Sequence, residues 1–306
     1  MSRFFYNLNK HKVLLLMLLP AVLVIFMLQY VPIAGIILAF KNFNITDGIY
    51  GSPWVHPIFA NFGFFFQTGE GWVATRNTVL YNLLNLFTSM IFAIIIAIVL
   101  SEMQAKKFKR ISQSVIFLPY FISWVIVGAF VYNIFDFKTG AFNSLLKLFG
   151  LEPVNLYSMP WTWIIIICAF NCWKWVGYNS VIYIAAIAGV DVECFEAADL
   201  DGASVFQKIW YVTLPGIMNT IVILFLLNIG RIMRGDFQMF YNIIGNNGQL
   251  FDATDVIDTF VFRSLVTNPD FGMNAAATLY QSIACFIIIM LVNQLIKRYD
   301  KDYALF

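Results

Sequence analysis

Six stretches of this chain are too long and too apolar for the interior of a water-soluble domain: residues 13–40, 78–100, 111–135, 161–189, 214–234 and 275–296. A helix crosses bilayer hydrocarbon in about 20 mostly apolar residues, and each stretch meets or approaches that length. Backbone amides find no water partner in lipid, so a spanning segment is either a helix or a strand of a closed barrel. The short alternating pattern of a barrel strand is missing. The spacing therefore predicts an all-α integral membrane fold of six transmembrane helices. With 60% hydrophobic and 12% charged residues and a mean hydropathy of +0.77, the chain carries more apolar surface than one core could hide.

The distribution of Lys and Arg predicts the orientation. One side collects Arg3, Lys10, Lys12, Lys106, Lys107, Lys109, Arg110, Lys208, Lys297, Arg298 and Lys301. The other side holds Lys41, Arg76, Lys138, Lys147, Arg231, Arg234 and Arg263, spread over longer loops. Both termini are thus expected in the cytoplasm, with residues 1–12 as a cytoplasmic N-terminal segment and 13–306 as the transmembrane domain. The run from Val13 to Phe40 is too long for a signal-peptide core and lacks a small-residue cleavage site, so it is expected to remain a span. Between Arg3 and Lys12 the aromatics Phe4, Phe5 and Tyr6 alternate with basic residues. That suits a segment on an anionic leaflet, and it suits a plain positive-inside anchor as well.

Several function classes are disfavoured. A formal net charge of only +2 gives no global field for nucleic acid. His11 and His56 fall on opposite sides of the membrane, and no clustered acid–base set suggests catalysis. Cys168, Cys172 and Cys285 lie in apolar runs and Cys194 in a polar connection, so neither a disulfide framework nor a metal site is expected. There is no G-x-x-x-x-G-K-[ST] run to cradle phosphates, so the chain is not expected to hydrolyse ATP. Three outward connections are long, at 41–77, 136–160 and 235–274. Within the last, Asp255 to Val266 has apolar residues at helical spacing.

The inward connection 190–213 leads into the most specific segment, EAADLDGASVFQKIWYVTLP, from Glu196 to Pro215. Glu196 to Leu200 is expected to form a short helix, Gly202 a tight break and Ala203 to Tyr211 a second, amphipathic helix. Leu214 and Pro215 would then begin the next span, because a proline in a first turn costs little. This segment resembles the EAA loop of binding-protein-dependent ABC importer permeases. Glu196, Ala197, Ala198, Gly202, Leu214 and Pro215 fall on that pattern, and Val212 replaces its isoleucine. The resemblance implies a type I ABC importer permease fold in which the loop docks on an ATPase subunit. Small side chains at Ala197, Ala198 and Ala203 would allow close approach, and Glu196 and Asp199 would supply carboxylates.

Further segments are similar to sugar-importer permeases, in particular the branch that serves oligosaccharides and polysaccharide fragments such as uronates: YVPIAGIILAFKNFN (Tyr30 to Asn44), GSPW (Gly51 to Trp54), RNT (Arg76 to Thr78), IFLPY (Ile116 to Tyr120) and the tail KRYDKDYALF. That likeness implies a heterodimer with a second, homologous permease, two ATPase subunits binding ATP and Mg, and an extracellular solute-binding protein. It also implies the cytoplasmic membrane of a bacterium and alternating access. A permease for neutral sugars is the alternative within this class. An ion-coupled secondary transporter is the alternative outside it, and it would show internal repeats or broken helices in corresponding places.

Polar residues inside the spans mark the candidate pathway: Asn171, Lys174, Trp175, Tyr178 and Asn179 in the fourth, Asn228 and Arg231 in the fifth, and Gln281 in the sixth. A lysine at a membrane centre costs about 2.5–3.5 kcal/mol, so Lys174 is expected to face a cavity or an acceptor. Two readings stay open for this set: a wall presenting donors and aromatic faces to sugar, or a hydrogen-bonded cluster that holds helices together. Lys174 with Arg231 and Arg234 would favour an acidic oligosaccharide.

Overall fold

The computed structural model describes residues 10–299 apart from positions 68 and 268, so most of the N-terminal basic–aromatic segment lies outside the described residues. Among these residues the fold is helical, with one antiparallel bridge between Lys41 and Trp54. Three helices are long and apolar enough to cross a membrane, or five if each of two bent pairs counts as one span.

The first expected span is a single helix, α1 (Lys12–Phe40), with its most apolar stretch wholly unburied. It changes pitch at Pro32, which has no N–H to give. The Val31 amide reaches back to the Phe26 carbonyl in a π turn over Phe26–Tyr30, and a 3₁₀ helix follows. The second span, α2 (Glu70–Glu102), starts eight residues before the expected position 78. Asn77, one of the polar residues that hid this start, is buried against its neighbours.

The third span departs from the single helix expected over 111–135. It consists of α3 (Lys106–Phe121) and α4 (Trp124–Phe135), meeting at 94°. Pro119 cannot continue an α-helical ladder, so the chain tightens into a 3₁₀ turn over Leu118–Phe121. Ile122 is extended, and Ser123 caps α4 by accepting the Ile126 amide. Between α4 and the next long helix lies the short α5 (Ala141–Leu148). The fourth span, α6 (Thr162–Ala188), agrees with the expected 161–189. Asn171, Lys174 and Asn179 dilute its apolar character and keep it outside the set of helices above.

The connection after α6 forms α7 (Val192–Leu200). The fifth span is then a bent pair, α8 (Val205–Gly216) and α9 (Met218–Ile229), meeting at 58°. This corrects two expectations. Leu214 and Pro215 end the first member of the pair and do not begin a span, and Arg231 and Arg234 lie in the turn beyond Ile229. On the opposite side follow α10 (Phe237–Ile244) and α11 (Ile257–Thr267), the latter where Asp255 to Val266 had helical spacing. The last span is α12 (Phe271–Tyr299).

The chain forms two compact units, one from residues 1–67 and 264–280 and the other from 68–263 and 281–306. In the first, Asn61 caps the end of α1, donating from Nδ2 to the carbonyls of Ala39 (3.0 Å) and Lys41 (3.1 Å). In the second, a core of Tyr81, Trp124, Val127, Trp163, Ile167, Met239 and Phe240 joins α2, α4, α6 and α10. Glycines set the closest approaches there. A Cβ on Gly128 would lie 2.3 Å from the Asn242 carbonyl oxygen, and one on Gly177 would lie 2.1 Å from that of Ile116.

Candidate functional site

The connection 190–213 is built from local rules. Asp191 caps α7 by accepting the Glu193 amide at 3.0 Å, so the helix begins four residues before Glu196. At its other end the Ala203 amide donates to the Ala198 carbonyl (2.9 Å) and the Gly202 amide to that of Asp199 (3.1 Å). These are the paired 6→1 and 5→2 bonds of a Schellman motif, which needs a left-handed residue after the helix. Gly202 supplies it with φ of +74°. The glycine is thus dictated by backbone geometry, and nothing lies within 4 Å of where its Cβ would stand.

The second helix starts at Val205, two residues after the expected Ala203. Ser204 and Gln207 form a reciprocal capping box there, with the Ser204 amide donating to Gln207 Oε1 at 2.8 Å. Lys208 Nζ then reaches Asp199 Oδ1 at 2.7 Å and ties α8 to α7. The hairpin presents large apolar side chains outward: Leu200 is 90% exposed, Phe206 85% and Tyr211 75%. Glu196 and Ala197 are exposed beside them, and Ala198 and Ala203 are half-buried. Leu214 is half-buried and Pro215 exposed. A Cβ on Gly216 would lie 2.8 Å from Val190 Cγ2, so α8 is seated against the end of α6. The arrangement is a rigid, apolar-tipped lever whose base is packed on a long helix.

The polar residues within the helices divide by environment. Lys174 is buried, and its Nζ donates to the carbonyls of Tyr120 (3.0 Å) and Ile122, with that of Pro119 at 3.5 Å. The Pro119 carbonyl already accepts the Ile122 amide at 3.1 Å, whereas those of Tyr120 and Ile122 lie where α3 breaks into α4, so the ammonium closes the bend. It also sits 5.3 Å from the Trp124 ring centroid, and Trp124 Nε1 donates to Asp236 at 3.0 Å. Gln281 is buried in the same manner, donating to the Met233 carbonyl (2.9 Å) and to Asp258 (3.1 Å). Asn171 faces Ser89 at 3.4 Å.

Tyr178 lies partly exposed on an aromatic cluster, stacked on Tyr120 with centroids 4.5 Å apart, and Trp175 stands edge-on to Tyr120 at 5.4 Å. Asn179 is half-buried next to it. Asn228 and Arg231 are exposed. Asp236 is held by Trp124 and by the Met239 amide, and no ion pair joins it to Arg231 or Arg234 among the described residues.

Two further residues do the same job: Asn82, which sequence reasoning passed over, and Asn77, noted there only as part of the RNT segment. Asn82 Nδ2 donates to the Ile232 and Arg234 carbonyls at 2.9 and 3.0 Å, closing the turn after α9. Asn77 Nδ2 donates to the carbonyls of Asp252 (3.2 Å) and Asp255 (3.0 Å). An amide at helical spacing from apolar neighbours was the visible signal for Asn82. Beside them Asp255 is buried and paired with Arg263 at 2.5 Å. Asp258 accepts from the Gly235 amide and from Gln281, yet burial still holds its carboxyl above the usual carboxylate range.

Comparison with known proteins places this geometry in context. A model of the family described as binding-protein-dependent transport system inner membrane component matches residues 89–301. The chain is 31% identical to protein LplB of Bacillus subtilis, covering 96% of this chain and 92% of that protein. It is also 31% identical to the polygalacturonan/rhamnogalacturonan transport system permease protein YteP of the same organism, covering 98% and 92%. Among solved structures, a bacterial ABC transporter involved in import of the acidic polysaccharide alginate has a chain 28% identical, with a TM-score of 0.87 over 97% of this chain and 99% of that one.

Proposed function

The chain belongs to the family of binding-protein-dependent transport system inner membrane components, and from that premise we propose that it is a permease subunit of an ATP-driven importer of oligosaccharides. The observation that carries this reading is the hairpin α7–α8. Its turn is fixed by a Schellman motif and a capping box, its halves are joined by Lys208 and Asp199, and its tip exposes Leu200 and Phe206. Such a tip fits a groove on a separate ATPase, which binds ATP and Mg, and the contact of Gly216 with Val190 passes motion from tip to α6. The spans are α1, α2, α3 with α4, α6, α8 with α9, and α12, with both termini cytoplasmic. A second homologous permease, two ATPase subunits and an extracellular solute-binding protein complete the assembly. The chain then works in a bacterial cytoplasmic membrane by alternating access.

The cargo we assign is acidic oligosaccharide. Two similar proteins are named for uronate-rich or acidic polymers, polygalacturonan/rhamnogalacturonan and alginate, and Arg231 and Arg234 are exposed with no ion pair among the described residues. Tyr178, Asn179, Asn228 and Arg231 line the pathway in this reading. Lys174, Asn171 and Gln281 brace it from behind, and Trp175 supports the ring of Tyr178.

The test is co-purification from native membrane of the intact chain and of a Glu196→Lys, Gly202→Trp variant. Nothing lies within 4 Å of a Cβ at Gly202, so a side chain there projects from the hairpin, at the cost of a strained left-handed backbone. An ATPase retained by the intact chain and lost by the variant supports the reading; an intact chain that never carries an ATPase overturns it. Uptake by the purified transporter of uronate and neutral oligomers, before and after Arg231→Ala, decides the cargo.

A further inference from the structure

The helix α5 and the residues just after it carry a face that neither the core nor the coupling lever uses. Viewed along its axis, α5 has three sides. The inward side holds Asn143, buried, which donates from Nδ2 to the carbonyls of Phe137 (3.1 Å) and Val154 (3.0 Å) and accepts the Val154 amide at 2.9 Å. Phe142 on that side meets Phe135 with ring centroids 5.9 Å apart. A polar side holds Ser144 and Lys147, both exposed. The third side is apolar. Leu145, Leu148 and Phe149, at i, i+3 and i+4, are 55%, 81% and 79% exposed.

The position of α5 says what covers this stripe. The 27 residues of α6 span about 40 Å. The coupling lever follows α6 and α5 precedes it, so the two lie at opposite ends of that helix. Only residues 136–140 separate α5 from α4, and the Asp136 carboxylate holds that turn by accepting the Lys138 and Thr139 amides. Along α4 the exposed side chains Val125, Ile126 and Phe130 form an apolar surface that ends in exposed Tyr132. Trp161, just before α6, is exposed as well. Aromatic residues at span ends mark the membrane–water interface. The stripe on α5 therefore follows within five residues of the exposed apolar side of α4, which belongs to a helix pair apolar enough to cross a membrane. Its polar side carries a single charge, Lys147, on a stem long enough to reach headgroups.

We propose that α5 is an interfacial foot, with Leu145, Leu148 and Phe149 seated in the phospholipid of the leaflet opposite the coupling lever and Ser144 and Lys147 at its headgroups. This rests on the membrane embedding of the chain and not on its cargo.

The test places single cysteines at 144, 145, 147, 148 and 149, with position 130 on α4 as a lipid control, in a Cys194→Ser background of the assembled transporter in liposomes. Each is spin-labelled, and the parent signal from the native cysteines is subtracted. Oxygen partitions into lipid and a nickel chelate stays in water, so their relative accessibility reports the surroundings. The proposal expects a severalfold higher oxygen-to-nickel ratio at 145, 148 and 149 than at 144 and 147. High nickel accessibility on the stripe overturns it in favour of water. Low accessibility to both reagents overturns it in favour of a protein partner. An oxygen-rich position 130 beside a failed stripe would leave the membrane embedding intact and reject the foot alone.

Discussion

Replacing Gly177 with alanine tests the closest approach in the fold. The added Cβ would lie 2.1 Å from the Ile116 carbonyl oxygen, whereas ordinary contact begins near 3.4 Å, so α6 and α3 must part by 3.4 − 2.1, about 1.3 Å. The Ile116 carbonyl carbon and Phe117 Cα are also in the way, at 2.6 and 2.8 Å, and as backbone atoms they cannot move aside by changing rotamer. Overpacking of this kind costs about 1–3 kcal/mol. The same displacement weakens the bond from Lys174, one turn earlier on α6, to the Tyr120 carbonyl at 3.0 Å. A buried carbonyl left unpaired adds about 1–3 kcal/mol. The sum is a loss of roughly 2–6 kcal/mol. Denaturant unfolding of the purified transporter, followed by the reactivity of Cys168 and Cys172 on the same helix, measures it. Gly35→Ala serves as the control, since nothing lies within 4 Å of that Cβ. If Gly177→Ala unfolds with the same free energy as Gly35→Ala, the close approach of α6 and α3 is refuted.

Lys174→Met should cost stability, because two carbonyls at the α3–α4 bend lose their donor at about 1–3 kcal/mol each. The removal of a charge from the membrane centre, worth about 2.5–3.5 kcal/mol, offsets part of that loss. A variant of undiminished stability with weakened sugar affinity would show instead that Lys174 touches cargo. Gly202→Ala has room for its Cβ and pays only for left-handed backbone, about 1–2 kcal/mol, so it should fold while ATPase coupling falls; full coupling would refute the need for the Schellman turn. Disrupting the exposed Lys208–Asp199 pair with Asp199→Asn should lower coupling more at low salt than at high salt, and a salt-independent effect would exclude the ion pair as its cause. The raised folded pKa of Asp258 means that the group contributes stability below its ordinary value of 3.8 and loses it as pH rises through the higher folded value. The stability of the parent relative to Asp258→Asn should therefore fall as pH climbs from that point, and a flat difference would rule out the buried carboxyl.

The membrane class and the α7–α8 hairpin were legible in the sequence, because both depend on short-range rules. Bilayer thickness sets the length of an apolar run, and a Schellman turn needs its glycine wherever the chain goes. The family resemblance carried by Glu196 to Pro215 stands with the match over residues 89–301. The breaks at Pro119 and after Gly216 were harder to read. Proline can end a helix, begin one or kink it, and at Pro215 the sequence suggested a beginning where the tertiary structure has an end. Hydropathy also misplaced the start of α2, since Asn77 reads as polar although its neighbours bury it.

The polar residues of the spans show most clearly where sequence stops. Lys174 inside a hydrophobic helix demands an acceptor, and that much follows from the cost of a charge in lipid. Which acceptor it finds depends on where α3 breaks, more than fifty positions away, as do the partners of Asn82 and Gln281 across 150 and 48 positions. Local composition determined that these groups must be satisfied. Only the tertiary structure decided that backbone carbonyls at helix breaks would satisfy them, because those carbonyls become available where distant helices bend.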